Sequence, residues 1–142
     1  MAAQSFDNRD GWIWMDGQFV QHRDARVHVL THAMHYASAV FEGERAYDGV
    51  IFKSREHSER LHTSARILGF QLPYSAEEID RAKAELIARQ GTPNCYMRAI
   101  AWRGSEQMGV SAKRDDVDVA ISSWVWGDYL ADKMKGVRLM IA

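Results

Sequence analysis

The chain has 142 residues, with a hydrophobic fraction of 46%, a charged fraction of 26% and a formal net charge of −1. These values are typical of a water-soluble globular domain with one core, and so small a charge gives no electrostatic reason to expect binding to nucleic acid or an anionic membrane. The sequence has one cysteine, no secretory signal at its start and no apolar run near the ~20 residues of a membrane span, so it predicts a cytoplasmic protein.

Two β-hairpins are predicted within the first 53 residues. Each contains an Asp-Gly dipeptide between residues that favour strands: Asp16-Gly17 between strands at 12–15 and 18–20, and Asp48-Gly49 between strands at 40–47 and 50–53. Asp-Gly in this setting is typical of a tight two-residue turn. The two hairpins predict an antiparallel sheet.

Two helices are predicted after the second hairpin. In the first, apolar and small residues recur at helical spacing from residue 57 to Leu68, and Gly69 is placed to end the helix. The second begins at a capping box, Ser75-Ala76-Glu77-Glu78, and ends at Gly91. Its apolar stripe comprises Ile79, Ala82, Leu86 and Ile87, and we place Lys83 on its polar side.

Two further strands are predicted at 94–102 and 117–126, joined by a polar, turn-rich stretch at 104–116. The order of elements predicts a small α+β domain over residues 1–126, an antiparallel sheet with two packed helices. Residues 127–136 are mixed and charged and are interpreted as an interdomain linker. Residues 137–142 (VRLMIA) form a new apolar run, interpreted as the first strand of a C-terminal domain that is otherwise absent from the sequence.

Five stretches carry a resemblance to a known family: HAMHYASAVFEGERAY, SREHSERLHTSARILGF, CYMRAI, MGV and WVWGDYL. In this order and spacing the chain, from about residue 12 to 142, resembles the N-terminal portion of the branched-chain amino acid aminotransferases. The resemblance implies fold type IV, pyridoxal 5'-phosphate as cofactor, and ping-pong transfer of an amino group between Leu, Ile or Val and 2-oxoglutarate. It also implies that the partners are amino acids, 2-oxo acids and further copies of the chain in a homodimer or higher homo-oligomer.

Arg60, in the second of these stretches, matches the arginine that holds the cofactor phosphate in the family. A fixed guanidinium suits this role because it gives bidentate, charge-assisted hydrogen bonds to phosphate oxygens. The alternative is a solvated arginine on a helix surface.

The resemblance further implies that aromatic residues wall the substrate side-chain pocket: Tyr36, Phe41, Tyr96, Trp126 and Tyr129. Apolar rings accept aliphatic side chains, and a tyrosine hydroxyl can orient a carboxylate. The alternative is ordinary packing on strands, particularly for Phe41 and Trp124.

Arg98 follows Tyr96 by two residues, so both project from the same face of one strand. A hydroxyl and a guanidinium on one face form a receptor for a carboxylate. The resemblance implies that Arg98 receives the distal carboxylate of glutamate or 2-oxoglutarate, although the family usually has proline where Ala99 stands here.

Met108-Gly109-Val110 matches a turn that, in the family, reaches the active site of the neighbouring subunit, as does the loop holding Tyr36. The resemblance therefore implies that a dimer is needed for a complete site. The alternative is a surface loop without a role. No metal site is predicted, because the nearby His28, His32 and His35 have no acidic or cysteine partners at ligand spacing.

Aminotransferases of this kind need a Schiff-base lysine. The sequence has five lysines, and none stands in apolar surroundings or matches the family's catalytic position: Lys53, Lys83, Lys113, Lys133 and Lys135. We therefore expect that lysine to lie beyond Ala142 and the chain alone to be inactive. Two alternatives stay open: a D-amino acid aminotransferase or aminodeoxychorismate lyase of the same fold, and a non-catalytic association module.

Overall fold

Six strands form one antiparallel sheet in the described part of the chain, which comprises residues 5–112, 116–126, 136 and 140 of a computed structural model. In chain order the strands are β1 (Trp12–Met15), β2 (Gln18–Gln21), β3 (Ala39–Tyr47), β4 (Val50–Ile51), β5 (Cys95–Arg103) and β6 (Val117–Trp124). Across the sheet their order is β2-β1-β6-β5-β3-β4. β5 lies between β3 and β6 and pairs with both along nearly its whole length.

Both predicted hairpins are present. β1 pairs with β2, and β3 pairs with β4, on either side of an Asp-Gly turn. All four turn residues have positive φ, 47° and 85° at Asp16 and Gly17, and 49° and 82° at Asp48 and Gly49. Two consecutive residues with positive φ match the twist of the flanking strands. Local chemistry at the turns therefore determines this part of the fold.

The helices of the described residues are α1 (His32–Tyr36), α2 (Ser54–Ile67), α3 (Ala76–Gln90) and a short 3₁₀ helix, His22–Asp24. The predicted capping box opens α3: the Ser75 hydroxyl accepts from the Glu78 N–H at 3.2 Å, and the Glu78 carboxylate accepts from the Ser75 N–H at 2.7 Å. Gly91, with φ 63°, ends the helix as predicted. No helix among these residues combines the length and apolar character needed to cross a membrane.

The core lies between the sheet and the pair α2 and α3. Successive strand residues point to opposite faces, and the face turned towards these helices, here called the helix-facing side, carries the buried apolar residues. The largest fully buried apolar side chains of this core, on the strands and the two helices, are Leu61, Ile79, Leu86, Met97, Val119 and Ile121. Burying an aliphatic side chain of this size contributes roughly 1.5–3 kcal/mol.

The opposite face, here called the open face, has a different composition. It carries Phe41, Gly43 and Arg45 of β3, Tyr96 and Arg98 of β5, and Ser122 and Trp124 of β6. α1 contacts β5, near the end of that strand that holds Trp102. Tyr36, predicted in a loop, is the last residue of α1, which ends because Ala37 has the left-handed conformation at φ 53°.

The placement of Lys83 on the polar side of α3 is wrong. Its side chain is fully buried, and its Nζ donates to Glu44 Oε2 and to Ser58 Oγ at 2.8 Å each. Lys83 lies four residues from both Ile79 and Ile87, so helical geometry puts it on the buried face. The ion pair links α3 to β3, and the hydrogen bond to Ser58 adds α2.

Candidate active site

Strand register brings several predicted pocket residues together on the open face. Tyr96 of β5 stands between Arg45 of β3 and Trp124 of β6, and Arg98 stands between Gly43 and Ser122. The structure thus places Phe41, Tyr96, Arg98 and Trp126 in one group, here called the Arg98 cluster, which also contains Trp124.

Arg98 lies at the centre of this cluster. Its guanidinium carbon is 4.5 Å from the Phe41 ring centroid and 5.9 Å from that of Trp124, and its Nη2 donates to the Tyr96 hydroxyl at 2.9 Å. The Nε of Arg98 and the indole Nε1 of Trp124 are buried without an acceptor among the described residues. Buried donors normally have partners, so this cluster has more N–H donors than acceptors and suits an anionic ligand.

Three aromatic rings form one side of the cluster. The Tyr96 centroid lies 4.9 Å from those of Trp124 and Trp126, and Trp126 stands edge-on to it at 88°. Arg45 Nη1 donates to the Trp126 carbonyl oxygen at 2.8 Å, which fixes that residue's backbone. Tyr129, the remaining predicted wall residue, lies outside the described residues.

Trp124 belongs to this wall although the sequence alone gave it no site role. Its spacing of two residues from Trp126 was the available indication, because residues i and i+2 of a strand share a face. Phe41, for which core packing was the alternative, is 57% exposed and so is not a core residue.

Gly43 allows the Tyr96 ring its position. A Cβ on Gly43 would come within 2.4 Å of the Tyr96 hydroxyl oxygen, closer than real Cβ contacts. Glycine at this position therefore leaves the space in which Tyr96 and Arg98 meet.

Tyr36 and the 108–110 turn form a second group. The Tyr36 hydroxyl donates to the Met108 carbonyl at 3.1 Å, and His32 Nε2 lies 3.1 Å from the Gly109 carbonyl oxygen. A cavity of about 330 Å³ lies beside them, lined by His32, Tyr36 and Val110 among others. The two segments predicted to serve a neighbouring subunit are thus joined to each other. His32, considered in the sequence only as a metal ligand, instead holds this turn.

Arg60 projects from α2 towards the helix-facing side of β3. Its Nε and Nη2 donate to Oε1 and Oε2 of Glu42, both at 2.6 Å, and His57 Nδ1 lies 2.7 Å from Glu42 Oε2. The Arg60 side chain is 63% exposed, whereas that of Glu42 is 5% exposed. Within the described part of the chain Nη1 of Arg60 makes no hydrogen bond. One edge of the guanidinium is therefore available to an anion, which fits a phosphate group.

Glu42 is charged at neutral pH. Burial acts to raise the pKa of its carboxyl, but hydrogen bonds and positive charge from Arg60 and His57 outweigh burial and hold the pKa below its ordinary value. Glu42 and His57 are functional candidates that the sequence analysis missed, since their pairing depends on how α2 lies on β3.

Arg60 and Arg98 lie on opposite faces of the sheet, beside one free edge. β4 pairs with β3 only at Ala46 and Tyr47 among the described residues. The preceding part of β3, which contains Phe41 and Glu42, therefore has no strand on its outer side.

The structure describes two of the five lysines. The exposed Lys53 Nζ pairs with Glu56 at 2.6 Å, and Lys83 is occupied in its buried ion pair with Glu44. Both amines in the described part of the chain are thus ion-paired, Lys53 at the surface and Lys83 in the core; Lys113, Lys133 and Lys135 lie outside it. Across the described ranges no cluster of three or more histidine, cysteine or acidic side chains is placed to hold a metal ion.

Comparison with known proteins places this geometry in a family. The family model described as amino-transferase class IV matches residues 39–142. The branched-chain-amino-acid aminotransferase of Pseudomonas aeruginosa is 44% identical over 141 residues, covering 95% of this chain and 46% of the relative. The chain thus spans about half the length of the curated relatives it matches.

Solved structures give the same result. The branched-chain amino acid aminotransferase of Escherichia coli superposes with a TM-score of 0.83 at 38% identity, covering 87% of this chain and 43% of that one. The branched-chain aminotransferase of the thermophilic archaeon Thermoproteus uzoniensis, solved with norvaline, gives 0.82 at 34% identity, covering 87% and 43%. The resemblance inferred from the sequence and the predicted fold class, a small α+β domain of fold type IV with an antiparallel sheet, are confirmed.

Proposed function

The chain belongs to the class IV amino-transferase family, and we propose on this premise that it forms one wall of the active site of a branched-chain amino acid aminotransferase. The reaction transfers an amino group between Leu, Ile or Val and 2-oxoglutarate in two half-reactions. The observation that carries the proposal is the Arg98 cluster, where buried N–H donors lie among aromatic rings without acceptors in the described residues. The names of the relatives favour this activity over that of a D-amino acid aminotransferase or an aminodeoxychorismate lyase.

Arg98 and Tyr96 receive a substrate carboxylate in this proposal. The Tyr96 oxygen accepts one N–H of Arg98 at 2.9 Å, which leaves its own proton for the ligand. A carboxylate at this point satisfies donors that are otherwise buried without partners, and a charge-assisted hydrogen bond is stronger than a neutral one.

The apolar part of the substrate lies against the rings of Phe41, Tyr96 and Trp126. Such rings accept an aliphatic side chain, while Arg98 beside them accepts a carboxylate, so one pocket serves leucine and 2-oxoglutarate in turn. We assign Tyr129 to the same wall from its match to the family. Tyr36 and Met108-Gly109-Val110 extend from one subunit to the pocket of the next, so the complete site requires at least a homodimer.

Arg60 holds the cofactor phosphate through the guanidinium edge that Glu42 leaves available. Pyridoxal 5'-phosphate, when bound, supplies an electron sink for the substrate carbon. The chain's own contributions are to bind the phosphate, orient the substrate carboxylate and surround the substrate with apolar rings. Because none of the five lysines of the sequence matches the family's catalytic position, we propose that the chain alone has no transaminase activity. The buried free thiol of Cys95 supports a reducing, cytoplasmic location.

The inactivity of the chain alone is tested with the purified chain and pyridoxal 5'-phosphate. Cofactor binding is followed by its absorbance, borohydride is then added, and the products are mapped by mass spectrometry; turnover of leucine with 2-oxoglutarate is assayed in parallel. We expect binding that depends on Arg60, no unique modified lysine and no turnover. A borohydride-stable adduct at a single lysine, together with turnover, contradicts the proposal.

The activity itself is tested with a chimera. The segment of the Pseudomonas aeruginosa relative that this chain matches is replaced by the chain, and rates are measured with Leu, Ile, Val and D-alanine. We expect turnover of the three branched-chain substrates, and in Arg98→Met a rise of about thirtyfold or more in the KM for 2-oxoglutarate, because a truncated charged hydrogen bond costs about 2–5 kcal/mol. Turnover of D-alanine instead favours the D-amino acid alternative.

A further inference from the structure

Glu42 makes three close contacts at the base of the phosphate anchor. Its two carboxylate oxygens accept from Nε and Nη2 of Arg60 at 2.6 Å, and Oε2 also lies 2.7 Å from His57 Nδ1. The carboxylate is 5% exposed, and its backbone is fixed in β3, where Glu42 pairs with Ala99 of β5. An exposed cation is thus held by a buried, immobile anion.

We propose that Glu42 and His57 are positioning residues that fix the Arg60 guanidinium with its Nη1 edge turned outwards as a phosphate donor. The inference rests on the proposed function in one respect, since it takes Arg60 as the anchor. Glu42 and His57 have no part in the proposed function as described above. In this inference they act through Arg60 and do not contact the ligand themselves.

The need for such positioning follows from the exposure of Arg60. A long side chain on a helix surface samples many rotamers, and part of this side-chain entropy is lost when a ligand immobilises it. A bidentate pair with a fixed carboxylate orders the guanidinium before the ligand arrives, and preorganisation of this kind raises affinity.

His57 has a distinct part in this arrangement. Its Nδ1 lies 2.7 Å from Glu42 Oε2 and 3.1 Å from Nη2 of Arg60. Because Nη2 already donates to Glu42, we assign a proton to Nδ1, which then donates to the Glu42 carboxylate and orients it. Among the charged groups nearby, Glu44 lies two residues along the same face of β3, but its charge is matched by Lys83 at 2.7 Å. Glu42 is therefore the carboxylate that pairs with Arg60.

A purely electrostatic account predicts the opposite effect. If the negative charge of Glu42 only weakens the attraction between Arg60 and phosphate, then removing that charge tightens phosphate binding. If Glu42 positions Arg60, removing it weakens binding, because the amide of a glutamine cannot accept both N–H groups. The sign of one change in affinity separates the two accounts.

The experiment measures binding of inorganic phosphate to the full 142-residue chain by calorimetry, with the Arg60 Nε–H signal followed by NMR in the absence of phosphate. The variants are Arg60→Met, Glu42→Gln, His57→Phe and His57→Asn; asparagine retains a donor near the position of Nδ1, and phenylalanine removes it. We expect no binding by Arg60→Met, at least a fivefold loss in Glu42→Gln, about a threefold loss in His57→Phe and near-normal binding in His57→Asn. The Nε–H signal is protected from exchange in the unaltered chain and unprotected in Glu42→Gln.

Each outcome decides between the proposals. Normal or tighter phosphate binding by Glu42→Gln overturns the positioning role, and so does an Nε–H signal that the substitution leaves unchanged. If Arg60→Met binds phosphate as well as the unaltered chain does, or if the unaltered chain does not bind phosphate, Arg60 is not the phosphate anchor. In that case the exchange of the Arg60 Nε–H signal alone tests whether Glu42 positions the guanidinium. If Glu42→Gln fails to fold, the His57 pair supplies the test, and equal affinity of His57→Phe and His57→Asn overturns the proposal.

Discussion

On the helix-facing side of the sheet, carboxylates and cations neutralise one another, whereas on the open face N–H donors lie without acceptors among the described residues. Glu44 pairs with Lys83, and Glu42 pairs with Arg60 and His57. Arg98 Nε and Trp124 Nε1 have no such partners. The charged groups of the helix-facing side are thus compensated within the chain, whereas these two donors of the open face are left for a ligand.

The largest expected effect comes from breaking the ion pair of the helix-facing side. Lys83→Met leaves Glu44 buried and uncompensated, so the free energy of unfolding falls by about 3–5 kcal/mol. The double variant Lys83→Met/Glu44→Leu recovers most of this loss, because no charge is then buried. Urea unfolding of the three proteins checks both statements. If the free energy of unfolding of Lys83→Met falls by less than about 1 kcal/mol, the ion pair is not important for stability, and the contrast between the two faces of the sheet fails.

A smaller effect is expected from Asp118, an acid on the open face. Burial, together with the negative charges of Asp16 and Glu106, raises the pKa of its carboxyl to about 6. Because the folded-state pKa lies above the unfolded value, the contribution of Asp118 to stability is complete below pH ~4 and is lost as the pH rises through about 6.

The substitution Asp118→Asn removes the ionisable group and therefore the loss of stability with rising pH. The free energy of unfolding of the variant is expected to equal that of the unaltered chain at pH 4 and to exceed it by about 1 kcal/mol at pH 7. The pKa shift taken at face value corresponds to a larger difference, but solvent screens the charge of a partly exposed side chain. Urea unfolding at the two pH values provides the measurement. A variant that is less stable than the unaltered chain at pH 7 shows that the hydrogen bond between Trp102 and the Asp118 carboxylate outweighs the cost of burial and of the neighbouring negative charges.

The smallest effect on stability is expected from Arg98→Met. The substitution loses the contact of the guanidinium with the Phe41 ring, but it also removes a buried donor without an acceptor, so the free energy of unfolding changes by less than about 1 kcal/mol. Arg98 and Lys83 are thus a matched pair of partly or fully buried cations, one on each face. If Arg98→Met and Lys83→Met lose equal free energies of unfolding in urea, the two faces of the sheet do not differ in how their cations serve the fold.

Much of the fold follows from local chemistry and was predictable. The Asp-Gly turns and the capping box at Ser75 act within four residues, so sequence neighbours determine them. The burial of Lys83 was predictable as well, because it lies four residues from both Ile79 and Ile87 on the helix. Its charge suggested the polar face instead. Leu68 was placed in the apolar face of the first predicted helix, yet it lies beyond the end of α2 and is 41% exposed.

The site was predictable only where residues share a strand. Tyr96 and Arg98 are two residues apart on β5, so strand geometry places them together. The contact between Arg60 and Glu42 joins residues 18 positions apart, and it exists because α2 packs across β3. Tyr36 and Met108 are 72 positions apart. Such contacts depend on tertiary packing, which the sequence pattern does not specify.

The most direct test of the central claim uses the indole Nε1–H signals of the ¹⁵N-labelled chain during titration with 2-oxoglutarate. Trp124 lies in the donor-rich Arg98 cluster of the open face, and Trp14, buried in the core on the helix-facing side, is the internal control. We predict that the Trp124 signal shifts with saturation, that the Trp14 signal does not move, and that the Trp124 shift is lost in Arg98→Met. A Trp124 signal that does not respond, or that responds equally in Arg98→Met, contradicts the claim that the donors of the open face bind the substrate carboxylate.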